Sequence, residues 1–408
     1  MSIRIAITNG LIVDPTAIAP IAGTVLIEGD SISSIGDSPA PSDADIVDAK
    51  GMIVAPGIVD LGVFRTDKPA FQFGGITRAG LMPDQSPPLD DPGLVQRAAR
   101  AGKPDLWVHP IAAATRDLAG KEMAELAMMR AAGAKAVATG RQWIADSGVM
   151  ARVLAYAAAL DMTVIAHAED GGLVGRAVAT AGETATRLGL HAAPAVAEAM
   201  AVARDIALAR QAGAALHFRI VSTAAAFALI RAAKAEGLRI TCGTSPAYFQ
   251  LSDIAASDFR TFARLSPPLR CEADRQATIA AIADGTVDVL TSSHDPRGPE
   301  DKRLPFADAA PGMAGAETLL ALALGLVRDE HLTINALMAL LSANPARLLG
   351  IDAGRIAAGA PADLILIDPD APWKVDSAKM AAEAGNTPFD GLPVQGRVRR
   401  VMKGGRFL

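Results

Sequence analysis

The sequence predicts an α/β protein: a TIM (β/α)8 barrel with a small β-sandwich domain formed from both ends of the chain. From Gly57 onward, apolar strand candidates alternate with Ala-rich helix candidates. The strand candidates are continuous apolar runs, which is typical of a parallel sheet covered on both faces. Eight such repeats over roughly 250–290 residues match a TIM barrel. A doubly wound open sheet is the alternative, and it is disfavoured because no Gly-rich phosphate turn follows an early strand.

The repeats of the predicted barrel can be placed along the chain. Strands are expected at Gly57–Phe64, Ile76–Met82, Leu106–Ile111, Ala134–Ala138, Thr163–Ala166, Ala215–Val221, Arg239–Cys242 and Thr286–Thr291. The helices between them include Glu122–Ala132, Val149–Leu160, Ala195–Ala212 and Ala224–Ala235. Helix Ile334–Leu341 follows the last repeat, and the segment Asn344–Gly350 leads back to strand patterns.

Both ends of the chain carry short strand patterns separated by turn signals such as Asn9-Gly10 and Lys50-Gly51. The expected strands are Ile3–Thr8, Thr24–Glu28, Ile32–Ile35 and Ile46–Asp48 at the beginning, and Gly354–Ile356, Asp363–Ile367 and Val398–Met402 at the end. A β module this small needs a partner to bury its apolar face. We therefore expect residues 1–55 and 351–408 to form the two parts of one β-sandwich, with the barrel, residues 56–350, inserted between them.

Composition excludes several classes of protein. The 408 residues carry a net charge of -5, without a basic stripe, which argues against a nucleic-acid partner. No apolar run reaches the roughly 18 residues that a membrane-spanning helix needs, and the first residues do not resemble a signal peptide. Cys242 and Cys271 imply neither a disulfide framework nor a zinc cluster. A cytoplasmic location is the expectation.

The stretch Val54–Pro69 contains the first predicted barrel strand and the most informative residues. Gly62 and Phe64 occupy alternate positions, so their side chains are expected on the same side of the strand. Arg65 stands where this strand stops. Because the active site of a TIM barrel lies at the carboxyl ends of its strands, these residues are candidates for a functional site.

A series of short motifs runs in one order over nearly the whole chain. They are Pro56-Gly57-Ile58-Val59-Asp60, Met82-Pro83, His167-Ala168-Glu169-Asp170, Val221-Ser222-Thr223, Ser266-Pro267-Pro268-Leu269-Arg270, Asp284-Gly285-Thr286-Val287-Asp288, Pro305-Phe306, Gly315-Ala316-Glu317-Thr318, Asn344-Pro345-Ala346, Ala362-Asp363-Leu364 and Asn386-Thr387-Pro388-Phe389-Asp390-Gly391. Through these motifs the chain resembles the dihydroorotases of the amidohydrolase superfamily. The resemblance implies an amidohydrolase-type barrel.

The resemblance also implies where a metal centre would lie, because dihydroorotases open or close an amide ring with a hydroxide held on zinc. The matching positions are Gly62 and Phe64 for a His-x-His pair, Thr139 for the bridging acid, His167 and Ile220 for two further histidines, and Ser293 for the Asp that serves as ligand and general base. Only His167 keeps the residue type of a ligand. We therefore predict a degenerate site with no metal and no cofactor, since metal affinity needs several donors in one geometry.

Some residues leave alternatives open at these positions. Lys135 could replace the bridging acid, although it begins its strand rather than ending it. Asp295 could replace Ser293 if the loop at Pro296 turns it inward. His167 could instead be a structural residue held by Glu169.

Only some of the residues that contact the substrate in the family are expected to keep their residue type here. Arg65 matches the family Arg that pairs with the substrate carboxylate, a task suited to guanidinium geometry. Asp84 stands where the family has an Asn that contacts the same carboxylate, and its charge would repel an acidic substrate. Arg219 and Arg297 add charge to nearby loops. The sequence offers no Gly-x-Ser-x-Gly elbow or other replacement mechanism.

Three functional hypotheses follow. The resemblance favours a non-catalytic dihydroorotase-like protein that acts as a structural partner of the aspartate carbamoyltransferase catalytic subunit, as a homodimer or in a larger hetero-oligomer. The alternative is an active zinc-dependent dihydroorotase, or a related hydantoinase or allantoinase, with an atypical metal site. The third is a binding module that keeps Arg65 and a pocket without chemistry.

Overall fold

The computed structural model describes residues 4–37 and 39–408. Its strands are β1 Arg4–Ile12, β2 Ile21–Glu28, β3 Ser31–Gly36, β4 Asp45–Asp48, β5 Ile53–Pro56, β6 Ile58–Val63, β7 Ile76–Leu81, β8 Trp107–Ala113, β9 Ala136–Ala138, β10 Val164–Ala166, β11 Ala179–Thr180, β12 Ala192–Ala193, β13 Leu216–Phe218, β14 Ile240–Thr244, β15 Val289–Leu290, β16 Leu364–Lys374, β17 Pro393–Lys403 and β18 Arg406–Phe407.

The helices lie mostly between the strands of the central sheet. They are α1 Lys68–Gly74, α2 Pro92–Ala98, α3 Leu126–Ala131, α4 Ser147–Ala159, α5 Gly171–Val174, α6 Glu183–Leu188, α7 Val196–Ala212, α8 Ala224–Ala235, α9 Pro246–Gln250, α10 Glu272–Ala283, α11 Pro299–Lys302, α12 Leu319–Arg328, α13 Ile334–Met338 and α14 Asn344–Leu348. In the described part of the chain, no helix combines the length and apolar character needed to cross a membrane.

Eight parallel strands form the barrel, in the order β15-β14-β13-β10-β9-β8-β7-β6. Hydrogen bonds also connect the two ends of this sheet. The buried Asp60 of β6 accepts hydrogen bonds from the Thr291 hydroxyl at 2.8 Å and from the Ser292 backbone at 3.0 Å. The Phe64 backbone N–H donates to the His294 carbonyl at 2.9 Å. The predicted barrel is therefore confirmed, and each of the eight predicted ranges overlaps a strand. Some strands are shorter than predicted, such as Leu216–Phe218 within Ala215–Val221 and Val289–Leu290 within Thr286–Thr291.

The second sheet contains strands from both ends of the chain. Its order is β18-β17-β16-β5-β1-β2-β3, and β4 pairs with β1. β5 lies between a strand from each end, since it pairs with β1 and with β16. Val54 of β5 packs with Ile7, Ile27, Leu366 and Met402 in a core that belongs to this sheet. The prediction that the two ends fold together is confirmed.

The structure differs from the predicted strands at three places. The predicted strand Ile3–Thr8 extends to Ile12, and its first residue, Ile3, lies outside the described residues. Strand β5, Ile53–Pro56, is additional to the predicted set. Gly354–Ile356 is not a strand, because Gly354 adopts a φ of +80° and turns closely against the backbone of Ser342. Ile356 is still buried in the core of the second sheet.

Phe64 is the aromatic residue at one end of the apolar cluster inside the barrel. Val59, Leu61, Ile111 and Ile165 lie on barrel strands and pack in one apolar cluster that also contains Phe64, which follows β6 directly. The cluster fills the inside of the barrel, as in other TIM barrels. Phe64 therefore lies where the packed interior meets the carboxyl ends of the strands, here called the barrel mouth.

Candidate functional site

A cavity of about 120 Å³ opens at the barrel mouth. Its lining includes Phe64, Arg141, Arg219, Tyr248, Ser293 and Asp295. These residues come from separate strand ends and the loops that follow them, the usual origin of TIM-barrel active sites. Two of the six positions assigned to metal ligands, Phe64 and Ser293, line this cavity.

Gly62 leaves room for an arginine at the mouth. Its φ of +91° interrupts the register between β6 and β7, in a conformation that suits glycine. A Cβ atom on Gly62 would lie 3.2 Å from Cδ of Arg219 and 3.3 Å from its Cγ. The stem of the Arg219 side chain therefore fills the space that a side chain at position 62 would need.

Phe64 binds two guanidinium groups over its ring. Cζ of Arg141 lies 3.7 Å from the ring centroid, and Cζ of Arg219 lies 4.9 Å from it. Cations are attracted to the face of an aromatic ring, and more strongly where water is excluded. Both residues at the proposed His-x-His positions therefore contact arginine side chains. Gly62 leaves room for the stem of Arg219, and the ring of Phe64 faces the guanidinium groups of Arg141 and Arg219.

Two carboxylates partly balance these cations. Asp295 accepts hydrogen bonds from Arg141 Nη1 at 2.6 Å and from Arg297 Nη2 at 3.1 Å. Asp84 accepts a bond from the Arg141 backbone N–H at 2.9 Å. Burial raises the pKa of Asp84, although Arg141 and Arg219 oppose this effect. The loop at Pro296 does turn Asp295 into the cavity, where guanidinium groups bind it.

The other assigned positions lie beside the cavity in structural contacts. The Thr139 hydroxyl accepts a hydrogen bond from the His167 backbone N–H at 2.9 Å. His167 is buried, and its Nε2 lies 3.6 Å from Oε2 of Glu169. Ile220 packs in an apolar cluster with Tyr248. His167 is thus held by Glu169, as one of the sequence alternatives expected.

Lys135 and Arg65 lie away from the cavity. Lys135 is exposed and precedes β9, at the end of the barrel opposite the mouth, so its proposed use as a bridging group is wrong. Nε of Arg65 pairs with Glu383 at 2.9 Å, and its side chain is 60% exposed. The role of Arg65 as a substrate contact stays a prediction.

The donor groups at the mouth do not fit a zinc centre. Zinc sites in proteins use imidazole nitrogen, thiolate sulfur and carboxylate oxygen. His167 faces Glu169, Asp295 is bound by two guanidinium groups, and Ser293 offers a hydroxyl. Across residues 4–37 and 39–408, no cluster of three or more His, Cys, Asp or Glu side chains could hold a metal ion.

Comparison with known proteins decides the family. The model of the family described as "Amidohydrolase family" matches residues 78–408. The dihydroorotase of Citrifermentans bemidjiense is 36% identical over 418 residues, covering 98% of both chains. That of Syntrophotalea carbinolica is 37% identical over 421 residues, covering 99% of this chain and 98% of its own.

This chain belongs to the dihydroorotase family of amidohydrolases. Its fold also matches the solved structure of the L-hydantoinase (dihydropyrimidinase) from Arthrobacter aurescens, with a TM-score of 0.89 and 24% identity. That match covers 100% of this chain and 96% of the hydantoinase. At this identity the likeness shows the fold alone.

Several motifs that place the chain among dihydroorotase homologues form one buried ionic network. Arg270, 2% exposed, donates to Glu169 Oε1 at 2.8 Å, to Glu198 Oε2 at 3.3 Å and to the Ser222 hydroxyl at 3.0 Å. Burial favours a raised pKa for Glu169, yet His167 and Arg270 together lower it. The network fixes the loops around His167, so these motif residues have a structural task in this dihydroorotase homologue.

The adjacent acids of the His167 motif serve separate local structures. Asp170 caps α5 by accepting a hydrogen bond from the Gly172 backbone at 2.8 Å, whereas Glu169 joins the ionic network. His217 is buried beside the Thr241 hydroxyl, 2.9 Å from its Nδ1, and burial lowers its pKa to about 3. His217 is therefore a packed strand residue.

Sequence reasoning missed Arg141 and undervalued Arg219. Arg219 follows β13 directly in an otherwise apolar stretch, and a charge at such a place was a usable signal. Arg141 lies in a loop after β9, where no local pattern marks it. Its role depends on contacts with Phe64 and Asp295, which are distant in sequence.

Proposed function

We propose that this protein is a cytoplasmic dihydroorotase-like protein of pyrimidine biosynthesis that lacks the catalytic metal centre. It acts as a non-catalytic structural partner of the aspartate carbamoyltransferase catalytic subunit. The observation that carries the proposal is the pair of guanidinium groups, from Arg141 and Arg219, bound over Phe64 at the barrel mouth.

The electrostatics of the mouth support this proposal. A divalent cation would be repelled by the two guanidinium groups, since like charges interact strongly where water is partly excluded. Without a metal, no group at the mouth lowers the pKa of water to the neutral range. Ser293, at the general-base position, cannot act as a base near neutral pH, because its hydroxyl makes no hydrogen bond to a histidine and the ring of the adjacent His294 faces Asp67.

The fold supports a role in assembly. The chain matches its dihydroorotase relatives over nearly their full length, and the buried network around Arg270 stabilises the loops of the mouth. Fold and activity are separable, so a barrel without its reaction centre still presents its outer surface to a partner. The resemblance makes aspartate carbamoyltransferase the partner to test, in an assembly that supports transferase activity or stability.

Co-expression with the carbamoyltransferase from the same organism tests the structural role. We expect the two chains to elute together in size-exclusion chromatography at micromolar concentration, at a larger size than either chain alone. Transferase activity or thermal stability should rise in the complex. Separate elution, with transferase activity and stability unchanged, would contradict the proposed role.

A second candidate is an active amidohydrolase with an atypical site, and the position of Asp295 favours it. The Asp295 carboxylate lines the cavity beside Ser293. This candidate requires dihydroorotate turnover that a chelator abolishes, and about one zinc ion per chain. The bonds from Arg141 and Arg297 to Asp295 oppose it, because a carboxylate shared by two guanidinium groups is a poor metal ligand.

A further inference from the structure

Arg219 is a buried cation that makes no ion pair with a carboxylate in the described part of the chain. The residue is 4% exposed, yet no carboxylate of residues 4–37 and 39–408 pairs with it, and its Nε has no hydrogen-bond partner there. Burial lowers the pKa of Arg219 and the neighbouring Arg141 lowers it further, whereas Asp84 and Asp295 oppose these effects without reversing them. A buried charge without a partner is costly, so this guanidinium group favours an anion beside it.

Two hydroxyl groups share the cavity with Arg219. The Oγ atoms of Ser245 and Ser293 are buried and have no hydrogen-bond partner within the described chain. Both residues line the same cavity as Arg219. Each hydroxyl can donate one hydrogen bond. The cavity therefore presents three polar groups without a hydrogen-bond partner among the described residues: the Nε–H group of the Arg219 cation and the neutral hydroxyls of Ser245 and Ser293.

The nearby carboxylates do not satisfy Arg219. Asp295 is bound by Arg141 and Arg297, and Asp84 accepts its bond from the Arg141 backbone. Arg141 and Arg297 both form ion pairs, with Asp295 and, for Arg297, also with Asp301 at 3.9 Å. Of the three guanidinium groups, Arg219 is the one that pairs with no carboxylate among the described residues.

We propose that this cavity binds a small oxyanion, a phosphate or carboxylate group, between Arg219 and the hydroxyls of Ser245 and Ser293. Guanidinium groups bind such oxyanions through paired N–H donors, and these charge-assisted bonds are stronger than neutral ones. The volume of about 120 Å³ admits an ion of this size. The site is separate from Arg65, which is paired with Glu383 outside the cavity.

Thermal unfolding of the purified chain tests the site. Inorganic phosphate and acetate are titrated in separate arms, with sodium chloride at matched ionic strength as the reference. A ligand that binds only the folded state raises the unfolding midpoint with its concentration. We expect a saturable rise with at least one of the two anions, and the responding arm identifies phosphate or carboxylate as the preferred group.

Two variants assign the effect to this cavity. Arg219→Met removes an unpaired buried charge at similar volume, so we expect a ligand-free midpoint equal to or above that of the original chain. Its response to the anion should be lost. Ser245→Ala should fold normally and weaken the apparent affinity about tenfold, as expected for loss of a hydrogen bond to a charged group. Arg399→Met, which removes an exposed arginine paired with Asp368, should keep the full response.

An unchanged anion response in Arg219→Met would overturn the proposal, as would the absence of a response to both anions in the original chain. The test uses this chain alone. Its outcome is therefore independent of whether the chain binds aspartate carbamoyltransferase.

Discussion

Replacing Arg270 with methionine is expected to lower the free energy of unfolding by about 3–5 kcal/mol, the cost of breaking a buried ion pair by removing one partner. Arg270 is the cation between Glu169 and Glu198, both of which are buried. Methionine keeps much of the side-chain volume but leaves two carboxylates without their counter-charge. Because the network fixes the loops of the barrel mouth, the loss should be global. Urea unfolding followed by circular dichroism measures it.

Arg399→Met is the matched control for this prediction. Arg399 also pairs with a carboxylate, Asp368 at 2.7 Å, but its side chain is 46% exposed. Exposed ion pairs contribute about 0–1 kcal/mol. If Arg270→Met were no more destabilising than Arg399→Met, the buried network would not be what stabilises the mouth.

Replacing Gly62 with histidine should destabilise the protein by roughly 2–5 kcal/mol without creating a zinc site. A left-handed backbone costs a non-glycine residue about 1–2 kcal/mol, and overpacking a buried position costs about 1–3 kcal/mol more. The new side chain would press on the stem of Arg219, 3.2 Å from the first added carbon. The unfolding free energy and the zinc content of the variant measure the two parts of this prediction.

Two further variants separate the causes. Gly62→Ala adds only the backbone strain and the first carbon, so its cost should be smaller than that of Gly62→His. Combining Gly62→His with Arg219→Ala should recover part of the lost stability, because it frees the space that the imidazole needs. A Gly62→His protein as stable as the original chain, or one that binds zinc tightly, would show that Arg219 does not occupy the ligand position.

The barrel was predictable because its signal is local and repeated. A strand such as Val164–Ala166 lies in a short apolar run, and a helix such as Ala224–Ala235 has its own period. Errors arose where tertiary contacts override the local pattern. Gly354 turns against the backbone of Ser342, and β5 is a strand because β1 and β16 lie on either side of it.

The candidate site was only partly predictable. Residue types at the matched positions, such as Gly62 and Ser293, carry the prediction that metal ligands are missing, and that prediction awaits metal analysis. The arginine side chains that occupy the barrel mouth come from chain segments far apart in sequence. Arg141 reaches Phe64 and Asp295 only in the folded barrel, so its part in the site required the structure.

The zinc content of the chain, purified without chelators, shows whether the barrel mouth holds a catalytic metal. We expect far less than one zinc ion per chain by elemental analysis, and no tight binding when zinc is added back. About one zinc ion per chain, retained through dialysis and lost together with dihydroorotate turnover on adding a chelator, would contradict this expectation.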